Sequence, residues 1–213
     1  MEYVECTEEE IAYLSSSDSA MASLIRKVGK IGFEADPDLH TSLVRCIIGQ
    51  QISIPMYERI WDEFKKEYGE IPSPERVLDG GIGKLKSLGI PTSRAEYILG
   101  ISKGFLDGDL DQSAIERMDD DDAFRALVKI RGVGPWTAEM AMIFCLRRKN
   151  VFSFGDLALI RGIRRMYGLE SVSKADFESY RKLFSPYCTA ASLYIWEVGE
   201  GRVAGFLESS VKD

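Results

Sequence analysis

One histidine and four scattered cysteines leave little in this chain for metal-ion or Ser-His chemistry. His40 stands alone, and Cys6, Cys46, Cys145 and Cys188 form no C-x-x-C pair. Neither a zinc site nor a disulfide framework is suggested, and no catalytic metal is expected. Chemistry falls to carboxylates, lysines, tyrosines and backbone groups. The strongest local signal is the run Leu127-Val128-Lys129-Ile130-Arg131-Gly132-Val133-Gly134-Pro135-Trp136-Thr137-Ala138. One helix ends at Ile130, a Gly-Val-Gly turn follows, and Pro135 opens the next helix. Glycine permits positive φ in a short turn and lets another backbone come close. The turn then presents the unpaired N–H groups of a helix N-terminus, a ready site for a phosphate. Gly-x-Gly alone also makes an ordinary helix connection; the flanking Leu-x-x-Ile and Pro-Trp-Thr-Ala make the run more specific.

Asp156 is the second chemical signal. Ser153-x-x-Asp156 has the spacing of a capping box, and an aspartate at a helix start is first of all a cap. A helix N-terminus also favours negative charge, so a carboxylate fixed there suits electrostatic work. Trp136, Trp196, Tyr57 and Trp61 supply aromatic surface; for Tyr57 and Trp61 core packing is the expected role.

The elements that must position these groups are helical. Leu39, Leu43, Cys46 and Ile47 mark one helix face. Ile54-Pro55 opens a second helix with Tyr57, Ile60, Trp61 and Phe64 as its stripe, closed by Gly69 and Pro72. Helices follow at Pro74 to Leu78, Ile82 to Leu88 and Pro91 to Phe105, with Gly89 a stop before Pro91. The acidic cluster Asp119 to Asp122 opens a helix running from Ala123 to Ile130. The last helices run from Trp136 to Arg148, Asp156 to Tyr167, Lys174 to Phe184 and Ala190 to Val198. Period-two alternation is nearly absent, so the fold reads as all-α. Residues Met1 to Lys30 carry no functional signal, and His40 is expected to help package the first of these helices.

The run around the glycine turn resembles the hairpin of the helix–hairpin–helix DNA glycosylase superfamily. Ile48-Gly49-Gln50-Gln51-Ile52-Ser53 is similar to that family's Gly-Gln-Gln-Ile-Ser segment. Val151-Phe152-Ser153-Phe154-Gly155-Asp156-Leu157 is similar to the segment carrying its catalytic aspartate. Ser185-Pro186-Tyr187-Cys188 through Trp196 is similar to its C-terminal helix, with Cys188 where the family usually has arginine. These motifs keep the family's order, and the resemblance is strongest to the 3-methyladenine DNA glycosylase II branch, in a short form without the extra N-terminal β domain.

The resemblance implies an all-α, two-lobed fold with the active-site cleft between the lobes. One lobe would span about residues 40–130 and the other about 1–39 plus 131–213, in a single catalytic unit. It implies Asp156 as the catalytic carboxylate, stabilising an oxocarbenium-like sugar or handling water. It implies Trp136 and Trp196 as walls of the base pocket, where an electron-rich ring favours a cationic alkylated purine. Gln51 would fill the gap left by the flipped nucleotide, with Gln50, Arg131, Gly132, Val133, Gly134 and Thr137 contacting DNA. For Gln50 an amide satisfying backbone groups at a helix end is about as good a reading. Bifunctional relatives place a lysine nucleophile where Trp136 stands, and Trp cannot form a Schiff base, so hydrolysis without strand cleavage is implied.

The implied partner is double-stranded DNA containing damaged bases, bound by a monomer. A monovalent cation at the hairpin carbonyls is the one cofactor implied; no iron–sulfur cluster is. Two other readings stay open: a non-catalytic DNA-binding protein using the hairpin as a phosphate clamp, and a glycosylase for another damaged or mismatched base.

Composition sets bounds. The 213 residues carry a net charge of −7, which argues mildly against nucleic acid. Base is concentrated at Arg147-Arg148-Lys149 and at Arg161, Arg164 and Arg165, so a local basic face is compatible with an acidic chain. No apolar run is long enough to span a bilayer, and the N-terminus lacks signal-peptide character, so a cytoplasmic protein is expected (nucleoid-associated if prokaryotic).

Overall fold

The computed structural model describes residues 2–203; Met1 and residues 204–213, the two ends of the expected second lobe, lie outside the described residues. In chain order the elements are β1 (Tyr3–Glu5), α1 (Glu8–Ser17), α2 (Ser19–Val28), β2 (Gly32–Glu34), α3 (Leu39–Gly49), α4 (Ile54–Tyr68), α5 (Pro74–Ser87), α6 (Thr92–Asp107), α7 (Gln112–Glu116), α8 (Asp120–Leu127), α9 (Pro135–Phe144), α10 (Leu157–Tyr167), α11 (Lys174–Phe184) and α12 (Cys188–Gly199). The architecture is the expected all-α one; among the described residues the strands form a single small antiparallel pair, β1 to β2, in which Val4 faces Phe33. No helix of the described residues is long and apolar enough to cross a membrane.

The chain divides into two compact units. The first holds Glu2 and Ala35–Arg147, the second Tyr3–Glu34 and residues 148–203. The sequence reading divides the chain at about residue 130; the structure divides it at Arg147. Packing explains the difference. Helix α9 is buried on most of its faces and packs on α3 and α8, so the hairpin and α9 stay with the first unit.

In the first unit α3 is the central helix, with buried residues from Leu39 through Ile48, packed against α4, α6 and α9. Helix α5 lies along α6 and is kinked at Gly81, whose φ of 64° breaks the run where the sequence suggests two short helices. His40 does package α3. Its Nδ1 lies 3.0 Å from Pro72 O and its Nε2 2.8 Å from Ser102 Oγ.

In the second unit α12 is buried along nearly its whole length and packs on α10, α2, α1 and α11. The first thirty residues, silent about function, hold two capped helices. Thr7 and Glu10 form a reciprocal capping box, and Asp18 accepts from Met21 N at 2.7 Å. Met21 and Leu24 of α2 are fully buried in the same core as α10 and α12.

Candidate functional site

Asp156 is built from the second unit alone. The loop leading to it is anchored by burial: Phe152 stacks on Phe177 at 4.5 Å, and Phe154 meets the same ring edge-on at 5.2 Å. Thr189 Oγ1 accepts from Val151 N at 3.1 Å and donates to Arg148 O at 2.6 Å, tying the loop to α12. The capping-box reading of Ser153 does not hold. Asp156 itself is the N-cap of α10, and its Oδ1 accepts from Leu159 N at 2.8 Å. The same oxygen accepts from Trp196 Nε1 at 3.2 Å. A backbone amide and an indole N–H therefore fix the carboxylate at the positive end of a helix, with the residue 8% exposed.

Two glycines make that bond geometrically accessible. A Cβ on Gly162 of α10 would lie 2.3 Å from Ile195 O, and one on Gly199 of α12 would lie 2.0 Å from Ala158 O. The two helices thus cross backbone to backbone, which brings Trp196 onto the start of α10. Arg161 and Arg165, part of the expected basic cluster, turn to this crossing. Arg165 donates to the carbonyls of Val198 and Gly199 at 3.0 and 3.1 Å, and Arg161 donates to Gly199 O at 3.3 Å. They satisfy the C-terminal carbonyls of α12. Trp196 is half-buried against the core of this unit, so the structure gives it a hydrogen-bonding role beside Asp156. Cys188 is a buried thiol donating to Arg181 O at 3.2 Å, and burial pushes its pKa up to about 12.

The glycine turn belongs to the first unit, and its two glycines do different things. Gly132 has φ +91°, and a Cβ there would lie 2.4 Å from the Tyr97 ring, so glycine is required twice over. Gly134 has φ −87°, caps α9, and a Cβ there would meet nothing within 4 Å. Its face is open. Pro135 follows at the first helical position, so the amides of the α9 first turn are presented at a bare glycine corner. Val133 is 5% exposed and Thr137 2% exposed; their side chains are packed inward, leaving their backbones for any outside contact. Arg131 is largely exposed, 3.5 Å from Glu96 and with its guanidinium 5.5 Å from the Tyr97 ring.

The two glutamines separate as well. Gln50 donates through Nε2 to Gly132 O and to Thr137 Oγ1, both at 3.0 Å, bolting the end of α3 to the hairpin. Gln51 is exposed and has φ +50°, the left-handed region that non-glycine residues rarely occupy. A cost of about 1–3 kcal/mol attaches to such a position, and it projects the side chain from the tight corner between α3 and α4.

Trp136 lines a solvent-open cavity of about 210 Å³ together with Arg45, Tyr57, Met140 and Phe144. Tyr57, assigned to the core from its place in the α4 stripe, is half-buried in the cavity wall. Its ring lies against the bare face of Gly49, where a Cβ would sit at 3.3 Å. Burial pushes its phenol up to about 12. In the sequence Met140 and Phe144 belong to the apolar face of the helix after the hairpin and Arg45 carries no site signal; only the convergence of α3, α4 and α9 makes a cavity of them. Among the described residues no three His, Cys, Asp or Glu side chains gather as a metal ion would need.

Residues 44–186 match the family described as HhH-GPD superfamily base excision DNA repair protein. A putative DNA-3-methyladenine glycosylase of Bacillus subtilis is 28% identical over 188 residues, covering 84% of this chain and 66% of that protein. An alkylbase DNA glycosidase-like protein of Schizosaccharomyces pombe is 28% identical over 193 residues, covering 87% of this chain and 91% of that one. The crystal structure of a DNA-3-methyladenine glycosidase from Bacillus halodurans aligns with a TM-score of 0.79 at 29% identity, covering 95% of this chain and 94% of that one. The chain thus spans just under two thirds of the Bacillus subtilis relative and most of the other two.

Proposed function

The chain belongs to the HhH-GPD superfamily of base excision DNA repair proteins, and from that premise we propose that it is a monofunctional glycosylase releasing alkylated bases from double-stranded DNA. The observation that carries the proposal is the carboxylate of Asp156, immobilised by Leu159 N and Trp196 Nε1. A protein that only grips phosphates has no use for a fixed negative charge. A glycosylase does: breaking the bond between base and sugar leaves positive charge on the sugar, and a preorganised anion lowers that barrier. The relatives named for 3-methyladenine and alkylbase removal support alkylated purines as the substrate class.

In this reading the open Gly134 corner and the first amides of α9 take a phosphate, and Gln51 enters the gap left by the flipped nucleotide. The base enters the cavity beside Trp136 and Tyr57. Trp136 stands where a lysine nucleophile would be needed for strand cleavage, so the products are a free base and an intact abasic strand. The hairpin carbonyls fit a monovalent cation: Ile130 O and Gly132 O each accept one hydrogen bond and retain a second lone pair. When bound, the ion adds positive charge beside the phosphate. No iron–sulfur cluster enters the proposal, because the four cysteines are buried and shared out, Cys6 and Cys188 in one unit, Cys46 and Cys145 in the other. The protein acts as a monomer.

The test is base release from duplex DNA methylated in vitro, with Asp156→Asn as the control. Asparagine is as good an N-cap as aspartate, so the variant keeps its fold and its affinity for an abasic-site analogue. Release of 3-methyladenine and 7-methylguanine falls by about 100-fold or more. Wild-type turnover in that variant refutes the assignment, and strand nicking without added base refutes the monofunctional reading.

A further inference from the structure

The first unit carries a second solvent-open cavity, which shares no residue with the base cavity, the glycine turn or Asp156. It is a groove of about 620 Å³ between α6 and the α7–α8 pair, ending at Lys129 and Ile130 just before the hairpin. Its lining is small or aliphatic, with Leu110, Met118 and Ile130 in the wall, apart from the charged Asp109, Asp111 and Lys129.

Three glycines form its α6 side, and they differ in cause. Gly108 stops the helix at φ +79°. Leu110 packs on Gly104, where a Cβ would lie 3.0 Å from the leucine side chain. Gly100 has neither reason. It lies inside α6, is exposed, and a Cβ there would meet nothing within 4 Å. Glycine inside a helix is less stable than alanine, so nothing within the unit favours it at this position. A bare helix face does favour the close approach of another backbone. Gly100 and Gly104 stand one above the other, and α6 rises about 12 Å from Gly100 to Gly108, about two turns. That strip suits the apolar face of a second helix laid along it.

Charge decides which kind of helix. Residues 100–130 carry eight acidic and four basic side chains, a net −4 of the chain's −7. Met118 in the groove wall leads directly into Asp119–Asp122. Two of the four bases are already paired, Lys103 with Asp107 and Arg125 with Asp122, the latter at 2.6 Å. The hairpin lies against Tyr97, so Lys129 belongs to the Gly100 end of the groove. Asp109 and Asp111, just past the C-terminus of α6, mark the other end. An acidic rim repels phosphate, which excludes nucleic acid as the occupant.

We propose that this groove docks a partner protein, which lays a basic amphipathic helix along Gly100 and Gly104 with its lysines or arginines toward Asp109 and Asp111. The surface is independent of the glycosylase reading, because none of its residues belongs to the site around Asp156 and Trp136.

The probe is a fluorescein-labelled synthetic peptide of about 15 residues, long enough to form a helix, with leucine and alanine on one face and lysine on the other. One control is a scrambled peptide of equal composition; a second has glutamate in place of every lysine. Anisotropy titrations use the full chain as wild type, Gly100→Leu and Asp109→Lys. Gly100→Leu puts a side chain into the groove and improves helix propensity, so its melting temperature equals or exceeds that of the wild type. Asp109 is exposed and caps neither α6 nor α7, so Asp109→Lys leaves the fold intact. The wild type binds the basic amphipathic peptide at least about tenfold more tightly than either control, and each variant loses about fivefold or more of that affinity. Unchanged affinity in Gly100→Leu overturns the groove assignment. Equal binding of the scrambled peptide, which is attraction by charge alone, overturns it too. Equal binding of the glutamate peptide overturns the basic character of the partner, and absence of binding overturns the whole proposal. A dimer in analytical ultracentrifugation that Gly100→Leu dissociates identifies a second copy as the occupant and overturns the proposal as well.

Discussion

At the scale of the residue, the site rests on hydrogen bonds that fix charge. Asp156 serves at once as helix cap and anion, and the two roles reinforce each other because the cap amide and the indole both address Oδ1. Trp196 is then a positioning residue. Trp196→Phe keeps the aromatic ring and removes only the donor. A hydrogen bond to a charged group contributes about 1.5–3 kcal/mol, so kcat falls about 10- to 100-fold, with KM within about twofold. Steady-state kinetics on a methylated duplex checks this; a pure KM effect instead means that Trp196 binds the base directly. Gln50 and Gln51 show how neighbours of one type diverge. One amide is consumed by Gly132 O and Thr137 Oγ1, whereas the other stands exposed on a left-handed backbone.

Among the elements, the helix starts and crossings do the positioning. The start of α9 offers amides and the start of α10 offers a carboxylate, a contrast made by Gly134 at one N-cap and Asp156 at the other. The hairpin glycines permit a clean separation of fold from binding. Gly132→Ala places a Cβ against Tyr97 at positive φ, and thermal denaturation reports a loss of about 1–3 kcal/mol. Gly134→Ala meets open space at an ordinary φ, so its melting temperature matches the wild type or exceeds it slightly. Yet the added methyl group stands where a phosphate must approach, and duplex affinity in a fluorescence anisotropy titration falls about tenfold. Equal affinity in Gly134→Ala excludes that corner as the phosphate site.

For the molecule as a whole, a net charge of −7 looks ill suited to DNA. The structure sharpens that point, since Arg161 and Arg165 are spent on the carbonyls closing α12. Backbone amides at a helix N-terminus attract phosphate without adding lysine or arginine, so an acidic chain can still hold a backbone at one place. Stability has its own pH signature through His40. Burial lowers its pKa from the ordinary value near 6.5, and the ring is held between Pro72 O, 3.0 Å from Nδ1, and Ser102 Oγ, 2.8 Å from Nε2. Above 6.5 the ring is neutral in both folded and unfolded chains, and its contribution is complete. Below that value the unfolded chain takes up a proton that the folded chain refuses, so stability falls until the depressed folded pKa is reached. Melting temperature therefore declines between about pH 7 and 5.5, and His40→Gln flattens that decline. A wild-type curve with no slope in this window excludes the buried imidazole as its source.

Much of this protein was legible in its linear order. Residues such as Gly132, Pro135 and Asp156 declare local backbone geometry, and local geometry is encoded locally, so the helices, the turn and the family's motif order all emerged from the chain alone. What lay outside local encoding depended on partners far away in sequence. That the Asp156 carboxylate has a second donor depends on Trp196, forty positions on, which no local pattern indicates. Tyr57 read as core because helical periodicity cannot distinguish a face covered by a neighbour from one opening on a cavity. Arg45 gave no signal, because its place in the cavity wall depends on the buried carboxylate of Asp36, 2.8 Å away, and on the packing of other helices. Periodicity reports which side of a helix is apolar; only the packing of α3, α4 and α9 decided where that apolar surface stays open, and which charge stands at its edge.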